Sequence, residues 1–209
     1  MNLYGHVVWL ASASRATMAA HPGMGEDNAM RTVTYGAACS LDGFIAGEGG
    51  SIDWLHFSSD VQEVMKAYWE SIDTIVMGRK TWEFAATQGG GGDCAVDEGG
   101  ISTYVFSRTL GAIQQPGVHL VSTDAGEFVR HLKTGEGKGI CVMGGGELAQ
   151  SLFSAGLIDE VSLNVHPVLL GSGVPFFRDA GRRIELELAE CRMIDGGCVL
   201  TTYRVRRPE

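Results

Sequence analysis

The sequence is short of positive charge. Its 16 Lys and Arg face 25 Asp and Glu, a net charge of -9, which excludes a nucleic-acid backbone or an anionic membrane surface as the main partner. No apolar run is long enough to cross a bilayer. The five cysteines, at 39, 94, 141, 191 and 198, contain no C-x-x-C pair. That pattern argues against both a zinc site and a disulfide frame, and reads as reduced, mostly buried thiols in a cytoplasmic protein. Cys191 and Cys198 are spaced to face one another across a hairpin, although chance spacing accounts for them better. No internal repeat is present, nor the G-x-G-x-x-G spacing of doubly wound dinucleotide folds. What remains is a chain of 209 residues, 44% hydrophobic and 20% charged, which suits one compact α/β domain with a sizeable core.

The first 29 residues stand apart. "MNLYGHVVWLASASRATMAAHPGMGEDNA" has a brief apolar patch at Val7–Ala11 with Arg15 after it, the reverse of a signal peptide's order. It reads as a disordered extension, or an upstream start codon, ahead of a domain over 30–209. From Thr32 onward short β-rich runs alternate with amphipathic ones. Strands are expected at Val33–Cys39, Thr74–Gly78, Thr103–Ser107, Gly117–Ser122 and Ile140–Met143. Ser58, Ser59 or Asp60 is placed to cap a helix carrying Val61, Val64, Met65, Tyr68 and Trp69 on one stripe. Further helices are expected from Arg79, over Gly126–Lys133, and after the glycines at 144–146, with Gly156 as a stop. The 87–100 segment, with six glycines and three acids, reads as a loop. Two alternating runs, 184–194 and 198–207, flank Asp195-Gly196-Gly197 and signal an antiparallel hairpin. The fold class is therefore α/β: a central, mostly parallel sheet with an antiparallel C-terminal hairpin, flanked by helices.

Three strand ends carry distinctive chemistry. Gly144, Gly145 and Gly146 lie where an apolar strand hands over to a helix, which suits either a tight packed turn or a backbone that receives a phosphate. Gly78, Arg79, Lys80 and Thr81 put two cations and a hydroxyl at a second strand-to-helix junction. Ser107 and Arg108 follow a third strand. Either arginine alone reads as a solvated surface charge. Together, beyond the carboxyl ends of neighbouring strands, they point to a dinucleotide, because guanidinium grips phosphate in a fork.

"SLDGFIAG", "IVMGRKTWE", "VFSRTL" and "VMGGGELAQSLFSAGLIDEVSLNVHPVLLGSGVPFF" resemble the dihydrofolate reductase superfamily. They are most similar to its riboflavin-biosynthesis reductase branch, the C-terminal part of bifunctional deaminase-reductases, over roughly Met30 to Arg207. The resemblance implies a dihydrofolate reductase-like fold and NADPH as cofactor. It places Gly78, Arg79 and Thr81 on the cofactor phosphates, Lys80 beside them, and Ser107 and Arg108 around the adenine ribose and 2′-phosphate. Gly144, Gly145, Gly146, Glu147 and Leu148 would wrap the pyrophosphate, and Ala38, Ile45 and Ala46 would line the nicotinamide.

Hydride transfer to a polarised C=N or C=O bond is the implied chemistry, with the protein positioning the acceptor and supplying a proton. Asp60 lies near the family's active-site acid, one residue further from Trp54 than the family pattern, and also suits a helix cap. Asp42, beside the nicotinamide segment, suits its own turn as well as catalysis. Glu63 and Tyr68 are further polar candidates facing the cleft. The deaminase signature H-x-E…P-C-x-x-C is missing, so a bifunctional enzyme is not expected. Phe44 stands where riboflavin-pathway reductases often carry lysine, which favours a flatter, less charged substrate. A small-molecule reductase acting as a homodimer is therefore expected, with a true dihydrofolate reductase or a non-catalytic NADP(H)-binding protein as alternatives.

Overall fold

The computed structural model describes residues 30–87, 100–144, 146–178 and 181–207. The extension 1–29, nearly all of the glycine-rich segment after Thr87, and Gly145 lie outside the described residues. Among the described residues, ten strands and four α-helices follow in the order β1 (Val33–Ser40), β2 (Phe44–Ala46), α1 (Ser59–Ser71), β3 (Ile72–Gly78), α2 (Arg79–Ala85), β4 (Ser102–Phe106), β5 (Val118–Val121) and α3 (Ala125–Thr134). They continue with β6 (Gly139–Met143), α4 (Gly146–Ser154), β7 (Glu160–His166), β8 (Val174–Pro175), β9 (Leu186–Ile194) and β10 (Cys198–Val205).

Eight strands form one sheet in the order β5-β4-β3-β6-β1-β7-β10-β9. From β5 to β7 all pairings are parallel, and β10 runs antiparallel to both β7 and β9. The expected parallel sheet with its antiparallel C-terminal hairpin is the observed one. The small β2–β8 pair, Phe44–Ala46 against Val174–Pro175, stands outside the expected elements, because three and two residues are too few to show a period.

Alternation divides the core. Val33, Tyr35, Ala37, Ile140 and Val142 pack with α3 and α4 on one face. Their neighbours Ala38, Cys141 and Met143 point the other way, to clusters under α1. β1 is buried along its whole length, as a strand covered on both faces must be. Ser58 caps α1, accepting from the Val61 N–H at 3.3 Å, so Asp60 sits inside the first turn rather than at the cap. Tyr68 is buried among Ile75, Met77 and Cys141. Burial, with Cys141 beside it, raises its phenol well above the ordinary range, so it belongs to the core and not to a cleft. Across the hairpin Cys191 is in register with Thr201 and Cys198 with Ile194; both are free thiols.

The two ends of the sheet differ. Below the first residues of the strands, Arg31 pairs with Asp73, and Asp159 receives Lys133 and Arg207. This end is closed by ion pairs. The carboxyl ends carry the glycine turn, the arginines and the β1–β2 segment. Among the described residues no helix is long and apolar enough to cross a membrane.

Candidate functional site

β3 and β6 are adjacent, with Met77 opposite Met143, so the two strand-to-helix junctions leave the sheet side by side. Gly144 has φ +54, and a Cβ built on it would stand 2.8 Å from Thr81 Oγ1. The glycine is thus required twice, by its left-handed backbone and by the side chain packed on it. A Cβ on Gly146 would meet Arg178 Cγ at 2.8 Å. These glycines let protein side chains close over the turn, which is what joins the two junctions. At Gly78 the Cβ position is open, with nothing within 4 Å. A ligand approaching the junction meets bare backbone there.

Charged groups sit on the helices and turns that leave these strands. Arg79 folds back along α2, its Nη1 2.7 Å from Glu83 Oε1 and Oε2. Lys80 Nζ lies 4.0 Å and Arg178 Nη1 3.5 Å from Glu147 Oε1. Ser107 Oγ accepts from the Leu110 N–H at 2.9 Å and the Thr109 N–H at 3.2 Å, which turns the chain and leaves Arg108 exposed. Arg108 has no ion pair among the described residues. Leu148 is buried beneath α4, so it holds the helix rather than facing outward. Arg178 was passed over by sequence reasoning; its only signal was a cation directly after the aromatic pair Phe176-Phe177.

At the end of β1 the chain turns through Asp42. Its Oδ1 accepts from Ser40 Oγ at 2.6 Å and the Leu170 N–H at 3.1 Å, and Oδ2 accepts from the Gly171 N–H at 2.7 Å. The Ser40 hydroxyl, followed by these backbone donors, holds the carboxyl below its ordinary range. Asp42 is therefore an ionised clamp between the β1–β2 turn and the loop after β7. Ala38 and Ala46 are buried. Ala38 joins the cluster under α1 and Ile45 packs on the opposite cluster, so these two expected lining residues flank the β1 end from two sides.

Next to Ala38 lies a polar group that sequence reasoning also missed. Asn164 and His166 are fully buried, with Asn164 Nδ2 3.0 Å from His166 Nε2. Trp54 meets the His166 ring edge-on at 5.3 Å and His56 lies nearly parallel to it at 5.8 Å. Burial, then His56, pulls the His166 pKa down to about 4. Asp60 accepts the Asp195 N–H at 3.4 Å, tying α1 to the β9–β10 turn above these rings. Glu63, one turn on, is exposed. An alternating "SLNVH" run hides such a pair, since a buried polar position looks like an outward one.

A separate cavity of about 240 Å³ lies on the other face of β1, lined by Tyr35, Phe153, Phe176 and Phe177 with Arg178 and Arg182 among its polar groups. None of Ala38, Asp60 and His166 lines it. It opens beside the glycine turn and away from the β1 end.

The family model described as the RibD C-terminal domain matches residues 31–200. The uncharacterized protein YyaP of Bacillus subtilis (strain 168) is 32% identical over 180 residues, 83% of this chain and 94% of that one. Among solved structures, a candidate riboflavin biosynthesis protein from Shewanella sp. PV-4 superposes with a TM-score of 0.72 at 28% identity, covering 84% of this chain and 99% of the other. The diaminohydroxyphosphoribosylaminopyrimidine deaminase/5-amino-6-(5-phosphoribosylamino)uracil reductase of Thermotoga maritima shares the fold, with a TM-score of 0.64 at 16% identity, over 85% of this chain and 57% of that one.

Proposed function

Because the chain belongs to the RibD C-terminal domain family, we propose that it is an NADPH-dependent reductase of small heterocyclic or carbonyl and imine substrates. The observation that carries this reading is the packing of Gly144 on Thr81. It sets the β6–α4 turn against the β3–α2 junction, which brings Gly78, Arg79 and Lys80 next to the start of α4, and Arg108 follows the adjacent strand, where Phe106 pairs with Gly78. The donor chemistry fits a dinucleotide phosphate: cations on the rim, a helix N-terminus, and an unfilled Cβ position at Gly78.

When bound, NADPH supplies the hydride for a polarised C=N or C=O carbon. The residues of the chain bind and orient. Arg79 and Arg108 would hold the 2′-phosphate, while Ala38, Ile45 and Ala46 would shape the nicotinamide end. Asp42, held ionised, keeps the β1–β2 segment in place and has no proton to give near neutral pH. Asp60 is the carboxyl left to carry a proton above the cleft. Phe44 beside this segment favours an acceptor without a phosphate.

The test is titration of NADPH and NADH by tryptophan fluorescence (Trp54, Trp69 and Trp82), then single-turnover NADPH oxidation against pteridines, pyrimidine ribosides and small carbonyls. Tighter binding of NADPH and oxidation by a member of the panel are expected. Equal affinity for the two nucleotides would remove the 2′-phosphate assignment. Tight NADPH binding with no oxidation across the panel would leave a binding protein.

A further inference from the structure

The register of β1 and β7 sets Ala38 beside Asn164 and Ser40 beside His166. Asn164 and His166, two residues apart on one strand, share a face with Ala38. Val61, Met65, Cys198 and Leu200 pack on that face, and the buried Ser162 and Thr202 hydroxyls further along it pair with each other at 2.8 Å. A buried amide and imidazole there destabilise the fold unless each polar atom is paired. One atom is not: Asn164 Oδ1 has no hydrogen-bond partner among the described residues.

The pairing around His166 decides what that free atom is. The backbone N–H of His56 points at His166 Nδ1 over 3.4 Å, and a backbone amide can only donate. Cys198 Sγ lies 3.4 Å from the same nitrogen, where its S–H donates as well. Nδ1 therefore presents its lone pair. A neutral ring, which burial enforces, must then carry its proton on Nε2. With the amide nitrogen of Asn164 toward Nε2, two donors would oppose each other. A half-turn of the amide exchanges oxygen and nitrogen without moving the side chain. Oδ1 then accepts from Nε2–H, and the unpaired buried group becomes the amide NH2.

We infer that Asn164 offers its amide N–H to the reacting cleft as a neutral donor for a ring carbonyl or ring nitrogen of an uncharged substrate heterocycle, with His166 as its positioning residue. The inference rests on the reductase reading of the cleft beside Ala38. The immediate contacts set the substrate class: the neutral imidazole on the amide and Trp54 against that ring bring polarity and shape without charge, while Asp60 sits at the β9–β10 turn. A group that must be desolvated to reach Asn164 should therefore be uncharged. The donor has no partner among the described residues and is satisfied when an acceptor atom arrives, the condition under which a site rejects analogues lacking that atom.

The first measurement is long-range ¹H–¹⁵N correlation of the His166 ring in the full-length protein at pH 7. The Nε2–H form is expected. An Nδ1–H ring would reverse the amide and overturn the inference, and a doubly protonated ring, which still donates from Nε2, would overturn the uncharged substrate class. The second is kinetic, with NADPH and paired acceptors, each pyrimidine riboside set against its 5′-phosphate. Wild type should prefer the uncharged member; preference for the phosphate would overturn the substrate class. Asn164→Leu should lower kcat/KM about tenfold or more with the Kd for NADPH unchanged. An equal loss in both would show a role in packing and overturn the inference. His166→Gln, which keeps an N–H toward Asn164, should retain most of the activity that His166→Leu loses, and equal loss in the two would overturn the positioning role. Absence of turnover with every acceptor would sink the reductase reading, while the ring spectrum would still decide the orientation of Asn164.

Discussion

Arg79 and Arg108 differ in a way that only side-chain geometry reveals. Arg79 is held by Glu83, and such an exposed helical pair is worth about 0.3–0.5 kcal/mol, little against a phosphate. A charged hydrogen bond contributes roughly 1.5–3 kcal/mol. Replacing either arginine by alanine should therefore weaken NADPH about tenfold to hundredfold and leave NADH nearly unchanged. Glu83→Gln, which frees Arg79, should tighten NADPH about twofold. Titration of both nucleotides against the variants checks this, and a parallel loss of NADH affinity would move the arginines off the 2′-phosphate. His166 makes a second prediction, about pH. Its folded pKa of about 4 lies below the ordinary 6.5, so between these values the unfolded chain binds a proton that the folded one excludes. Stability is then full above about pH 6.5 and falls as pH drops toward 4, by about 3 kcal/mol at most. Urea unfolding at pH 7.5, 6.5, 5.5 and 4.5 should show this slope in wild type and lack its histidine share in His166→Gln. Parallel curves would mean that His166 titrates normally.

Among the elements, the β2–β8 pair is the one that depends most on a single position. Gly173 has φ +141, and a Cβ there would lie 2.1 Å from the carbonyl oxygen of Ala46. Gly173→Ala combines backbone strain of about 1–3 kcal/mol with a collision against the segment that would line the nicotinamide. A fall in Tm together with weaker NADPH binding is expected. An unchanged Kd in the folded variant would show that β2 has no part in holding the cofactor. The same element explains what the sequence concealed about Asp42. The Asp-Gly pair is a turn signal on its own, but the partners of that carboxylate at Leu170 and Gly171 belong to a loop far along the chain. No local pattern announces a clamp of that kind. The helices were more legible: the stripe on α1, its serine cap and the stop at Gly156, with φ +67, all follow from local spacing and backbone chemistry.

For the molecule as a whole, the exposed edge is the feature to test. β9 is the last strand of the sheet and leaves Leu188 and Met193 exposed, with Phe177 also on the surface. Open apolar edges favour pairing with another copy. Light scattering at micromolar concentration should return a dimer, and Leu188→Lys should return a monomer. A monomeric wild type would exclude self-association through this edge. The described fold begins at the strand that carries Val33, and all of its core lies after Met30. A chain starting at Met30 should accordingly melt within a few degrees of full length. A loss of ~10 °C, well beyond the ~2–4 °C that 1 kcal/mol produces in a domain this size, would show that residues 1–29 pack on it.

The main strands and helices, without the short β2–β8 pair, and the mostly parallel sheet with its antiparallel hairpin were set by the sequence alone, because burial on two faces, helical spacing and glycine turns are written in near neighbours. Which atoms meet was decided by tertiary structure. Gly144 needs its missing side chain because Thr81 lies on it, and that depends on β3 and β6 being adjacent. Nothing local marks Asn164 and His166 until register places them beside Ala38 and the Trp54–His56 segment closes over them. The physical reason is the same in each case: a hydrogen bond or close contact between residues far apart in the chain is fixed by strand order and register, and neither leaves a period in the sequence.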